Sequence, residues 1–210
     1  MNINQSIDAI LRFQNGNLTD SIAGIEGKIR DLDAHAVQEL CDSLQINAEF
    51  IASATKIKQL AGQINVIIHA AGILKSLPSI LEPGESVKSV SLGAGNTGRE
   101  FDLETNFRVA EFKFIHWQGG AETIRQNGIF KDFYQLAEHP TAKKKFLYLV
   151  GCEIPLRFFN SGRAIKSVFS RHPKLLEELS QKYGEDIQTV RDYYQQKQHE
   201  VTICDLSKWL

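Results

Sequence analysis

Apolar positions recur at helical spacing through the first eighty residues of the chain, and then the period changes. Ile3, Ile7, Ile10 and Leu11 form one stripe, ended by Asn15-Gly16-Asn17. Ile22, Ile25, Ile29 and Leu32 form a second over Thr19 to Leu32, and Val37, Leu40, Cys41 and Leu44 a third over Asp33 to Leu44. A long segment follows from Asn47, its N-cap, to about Leu77, with Phe50, Ile57, Leu60, Ile64, Ile68 and Leu74 in phase. Gly62 or Gly72 is expected to kink or split it, and Pro78 with Glu82-Pro83-Gly84 to stop it.

Beyond that turn the pattern is mixed. Val87, Val90 and Leu92 lie in a short β-prone run that stops at Gly93-Ala94-Gly95. Strands are expected at Phe101–Thr105 and Arg108–Ile115, a helix at Ala121–Glu138 closed by Pro140, and a strand buried on both faces at Lys145–Val150. Ser161 to Gln198 reads as mostly helical, broken at His172-Pro173 and Gly184, with a last short strand at Val201–Ile203. This order predicts an α/β protein: a mixed central sheet flanked by helices, residues 81–210, preceded by a helical N-terminal region, residues 1–80. The crossover through the 121–138 helix predicts that the 145–150 strand runs parallel to a neighbour. Gly93, Gly95 and Gly98 have the spacing of a dinucleotide-binding turn. A strand follows instead of a helix, so a loop near the active edge is the expected reading.

Composition narrows the function classes. The chain has 210 residues, 42% hydrophobic and 23% charged, with a formal net charge of −1. That is ordinary for a globular protein and lacks overall basicity, so any nucleic-acid contact has to be a local patch. Cys41, Cys152 and Cys204 are far apart and show no zinc-ligand spacing, which predicts packed free thiols in a reducing compartment. MNINQSIDAI has no basic and apolar leader pattern, and no run of about 18 apolar residues occurs. A cytoplasmic protein without a membrane partner is the expectation.

The chemistry-bearing stretch is FDLETNFRVAEFKF, Phe101 to Phe114. Glu111 and Lys113 are two apart on one strand and share a face. A tight turn near Asn106 would make the two strands antiparallel neighbours and bring Asp102 beside Glu111 or Lys113. Adjacent carboxylates repel, and a hard divalent cation with oxygen preference relieves that repulsion. The lysine could hold or deprotonate an attacking water, or neutralise charge on a phosphoryl oxygen. Glu-x-Lys alone carries little information, since Glu26-Gly27-Lys28 repeats it inside a helical pattern. Only the later copy lies on a strand preceded by an acid-bearing one. The alternative is an amphipathic hairpin whose charges merely pair across strands.

With Asp102, Glu111 and Lys113 in FDLET and AEFKF, the stretch from about Val87 to Val150 resembles the PD-(D/E)xK nuclease superfamily, the restriction-endonuclease-like fold. Phe101 stands where the name-giving proline would be. The resemblance implies that Asp102 and Glu111 bind Mg²⁺ (or Mn²⁺), that the Phe112 carbonyl completes the shell, and that Lys113 is the base or stabiliser. It implies a metal-dependent nuclease acting on nucleic acid, DNA in the first instance, or a non-cleaving binding or regulatory protein that keeps the fold. A possible homodimer would suit paired cuts. Glu49 is the candidate for the acid that the family often carries on its first core helix. Gln126 with Phe130 matches half of a glutamine–tyrosine pair that some members carry on the following helix.

Residues read as possible substrate contacts are Gln118, which could orient water or meet a phosphate; Lys144, in the Lys143-Lys144-Lys145 run; and Arg163 and Lys166, expected near Ser170 and Arg171 at a helix start. The lysine run has a solvated turn as its alternative, and the helix start a plain solvent face. Trp117 is expected in the core, His116 as a satisfied polar residue, and Ala70-Ala71-Gly72 as a site of close helix packing.

Overall fold

The structure is a computed structural model that describes residues 2–14, 16–93, 99–117 and 122–210. It divides into two compact units, Met1–Asn65 and Val66–Leu210.

The first unit holds α1 (Ile3–Gln14), α2 (Leu18–Ile29), α3 (Ala34–Ser43) and the beginning of α4 (Ala48–Ile80). Side chains that accept otherwise unpaired amides mark the helix starts. Asn17 caps α2 at Thr19 and Asp20, Asp33 caps α3 at Ala36, and Asn47 accepts from the Phe50 amide. Among the described residues, those buried in this unit are small: Ser6, Ala9 and Ser53. Phe13 and Phe50 meet at 5.1 Å between ring centroids.

α4 is continuous over 33 residues and ends in the second unit. Neither Gly62 nor Gly72 splits it, and Pro78 lies inside its last turn instead of stopping it. By length and composition it is apolar enough to cross a membrane, with a mean hydropathy of 1.3 over 18 residues. Gln63, Asn65 and His69 interrupt the apolar run in the sequence, which is why a run-length criterion passes over it.

The second unit is a five-stranded sheet in the order β1 (Val87–Val90), β2 (Leu103–Thr105), β3 (Arg108–Lys113), β4 (Lys144–Leu149), β5 (Thr202–Asp205). The first three strands are antiparallel neighbours, and β3–β4 and β4–β5 are parallel, so the sheet is mixed as expected. A two-residue turn joins β2 to β3. The Thr105 hydroxyl accepts from the Phe107 and Arg108 amides, and the Asn106 side chain bridges Ser86 and Gly84. α5 (Thr123–Glu138) makes the crossover to β4.

Both faces of the sheet are covered. On one, Leu103, Ala110, Phe112 and Tyr148 pack with Ile73 and Ile80 of α4. On the other, Val109, Leu147 and Leu149 pack with Ile129, Phe130 and Phe133 of α5 and with the C-terminal helices. Those helices are α6 (Glu153–Phe159), α7 (Ile165–Val168), α8 (Pro173–Tyr183) and α9 (Val190–Lys197). α6 begins eight residues earlier than the sequence pattern suggests; its Pro155 falls in the first turn, where a missing amide costs nothing. Asn160–Arg163 does not open a helix. Ala164 is extended and bridges to Thr189, and the four-residue α7 starts only at Ile165.

Candidate functional site

The β2–β3 register pairs Leu103 with Ala110 and Glu104 with Val109. Extended by one residue, it sets Asp102 opposite Glu111. Asp102 lies just before β2, and its Oδ2 accepts from the Phe112 amide at 3.0 Å. Its Oδ1 lies 3.3 Å from Nε2 of His69, which α4 supplies from the other side. The side chain is only 10% exposed.

Glu111 and Lys113 alternate with the buried Ala110 and Phe112, so they share the face that carries Val109 and looks toward α5. Lys113 Nζ stands 3.7 Å from Glu111 Oε2 and 2.7 Å from Asp132 Oδ2 on α5. Three carboxyl groups, one ammonium and one imidazole therefore converge where β2 begins and β3 ends.

The odd-numbered residues of β3 bond to β4, since Lys144 donates to the Phe107 carbonyl and Val150 to that of Lys113. Main-chain groups along a strand alternate sides, so Phe112 directs both its amide and its carbonyl toward the β2 side. The amide meets Asp102 there. Its carbonyl faces the same strand edge as the Asp102 carboxylate.

Electrostatics set the three carboxyls apart. Burial pushes Glu111 up to about 9, and the charges of Asp132 and Asp102 push the same way against the opposing pull of Lys113. Burial works against an ionised Asp102 too, but the bonds from His69 and the Phe112 amide, with the Lys113 charge, hold it below the usual carboxylate range. Burial disfavours the Lys113 ammonium, yet Asp132 and Glu111 outweigh it, and its pKa rises. At neutral pH Asp102 is ionised, Glu111 keeps its proton and Lys113 is charged.

Oxygen donors on Asp102, Glu111 and the Phe112 carbonyl suit a hard cation that retains part of its water. The proton on Glu111 reflects burial first and the neighbouring Asp132 and Asp102 second, and a divalent ion would displace it. Among the described residues, no group of three or more His, Cys, Asp or Glu side chains is arranged to hold a metal ion by itself. A site of this composition would thus rely on water and on the substrate for its remaining ligands.

The other expected contacts are dispersed. Lys144 lies beside Arg108 at the opposite end of β3–β4 from Lys113, and its Nζ pairs with Glu82 at 3.0 Å. Arg163 donates to Gln126 on the first turns of α5, at 3.3 Å. Lys166 is exposed on the short α7. Gln118, like Ala94–Gly98 of the glycine-rich stretch, lies outside the described residues. Trp117 packs against the α5-side core, as expected. Glu49 belongs to the first unit, and the α4 residue that reaches the site is His69.

Asp132 and His69 are absent from the sequence reading, although the helical period contains both. Asp132 is three residues after Ile129 and four before Leu136, both fully buried, so it has to face inward. His69 precedes Ile73 by four and Ser76 by seven, on the side of α4 that meets the sheet. A polar residue on an apolar helical face was the available signal. The Ala-Ala-Gly packing expectation holds at Gly72, where an added Cβ would run into the Phe114 ring.

No family model matches the chain, and neither a curated protein nor a solved structure does.

Proposed function

We propose that the chain is a metal-dependent phosphodiester hydrolase, a nuclease with DNA as its first-choice substrate, built on a restriction-endonuclease-like core. The observation that carries the reading is geometric: the strand register sets Asp102 opposite Glu111, with the Lys113 ammonium 3.7 Å from Glu111. The element order also supports it: a helix, three antiparallel strands, a crossover helix and a parallel strand.

Asp102, Glu111 and the Phe112 carbonyl would hold Mg²⁺ or Mn²⁺. Such an ion, when bound, polarises a phosphoryl oxygen and makes its water more acidic. Asp102 orients through the Phe112 amide and His69, so its carboxylate is fixed before substrate arrives. Lys113, kept protonated by Asp132, serves as a stabiliser of phosphoryl charge and not as the base. Glu111 releases its proton when a cation occupies the site.

A second reading, a nuclease-like protein that binds without cutting, is favoured by one feature. Lys113 is already tied to Asp132 at 2.7 Å, a contact that holds the ammonium away from free movement. Incubation with supercoiled plasmid, linear DNA and single-stranded RNA in Mg²⁺ or Mn²⁺ decides between them. Cleavage by the wild type that falls at least about 100-fold in Lys113→Met supports hydrolysis. Retention on DNA without any cut strand supports the second reading, and neither binding nor cleavage removes both.

A further inference from the structure

We propose that α4 pairs with α4 of a second copy of this chain, through the helix face opposite the one seated on the sheet. In the second unit, His69, Gly72, Ile73, Ser76 and Ile80 point into the core or the site. At 100° per residue, Ile67, Ala71 and Leu74 lie on the opposite side. Ile67 is 57% exposed and Leu74 53%. Monomeric proteins seldom leave contiguous large apolar side chains open in this way.

The spacing says what kind of partner fits. Ile57, Leu60, Ile64, Ile67, Ala71 and Leu74 follow one another at steps of three and four, the spacing that a two-helix seam uses. Leu60 and Ile64, in the first unit, are 46% and 50% exposed. Such a seam is complementary to itself, which a two-fold contact between identical chains requires. From Gln59 to Leu74 there is no Asp, Glu, Lys or Arg, so two copies meet without like charges facing one another.

A bilayer fits this helix less well. The uncharged stretch is sixteen residues between Lys58 and Lys75. At about 1.5 Å per residue it covers about 24 Å, short of a hydrocarbon core of about 30 Å. One side of its second half is also occupied by the sheet and by the His69–Asp102 contact.

The inference stands apart from the phosphodiester reading and is tested separately. Sedimentation velocity of the full chain from about 1 to 100 µM should show a dimer, twice 23.6 kDa, forming with a dissociation constant on the order of 10 µM. Ile67→Glu with Leu74→Glu should weaken it at least 100-fold with helical content unchanged. Ile67→Gln with Leu74→Gln, which adds no charge, should weaken it by at least tenfold and covers the case in which the acidic pair fails to fold. A wild type that stays monomeric at 100 µM overturns the proposal. So does a folded double variant that still dimerises, or a wild-type monomer that floats with neutral phosphatidylcholine vesicles.

Discussion

Replacing Glu111 by glutamine removes an ionisable group while keeping its size and its capacity to donate a hydrogen bond. In the folded chain the Glu111 carboxyl is pushed up to about 9, against an ordinary 4.5. The folded state therefore holds a proton that the unfolded state has already lost, at every pH between those values. A raised acid contributes stability that is complete at low pH and drains away as pH rises toward 9. The slope for one such group reaches about 1.4 kcal/mol per pH unit, or about 3 kcal/mol between pH 5.5 and 8.0. Residual water reduces it, and about 2 kcal/mol is expected. Urea unfolding of both proteins in EDTA at pH 5.5, 7.0 and 8.0 measures this directly. The variant should gain on the wild type by about 2 kcal/mol across that range. The histidines are common to both proteins and cancel in the difference. A difference that stays flat within about 0.5 kcal/mol would refute the claim that Glu111 is buried among uncompensated negative charge.

Three further outcomes follow from particular contacts. Asp102→Ala leaves the Phe112 amide without its acceptor and should cost about 2 kcal/mol in denaturant melts, whereas Asp102→Asn, whose oxygen can still accept, should cost under about 1 kcal/mol. Gly72→Ala gains helix propensity of about 1 kcal/mol but drives a methyl into the Phe114 ring, so a net loss of about 1 kcal/mol is expected, reversed when Phe114→Leu is added. Glu138→Ala strips the acceptor from the hydroxyls of both Tyr183 and Tyr193 and should lower stability by about 2–4 kcal/mol, read as a fall in the melting temperature.

The sheet was legible because its elements differ in period and punctuation. Asn106 sits at a turn only two residues long, and that fixed the register that sets Asp102 against Glu111. Lys145–Val150 is apolar without alternation, and it is indeed paired on both edges, with β3 and β5. The helical half was less legible. Glycine lowers helix propensity, but neither Gly62 nor Gly72 breaks α4, because a single glycine costs about 1 kcal/mol and a 33-residue helix absorbs it. Charged residues close in sequence to the site are not all close to it in space. Lys144 lies five residues of β-strand, about 17 Å, from the Lys113 end, because parallel pairing sets it beside Arg108. Asp132 and His69 come from elements 19 residues after and 33 before Lys113 and Asp102 respectively, and no local spacing links them. Only their place on inward helical faces betrays them.

One cation held by Asp102 and Glu111 is the centre of the functional proposal, and Mn²⁺ binding followed by electron paramagnetic resonance at pH 7.5 tests it most directly. The wild type should bind one ion per chain at millimolar or lower concentration, releasing close to one proton as Glu111 ionises, and Glu111→Gln and Asp102→Asn should each weaken binding by about tenfold or more. Binding that survives both substitutions unchanged, or a wild type that binds no ion at all, would contradict it.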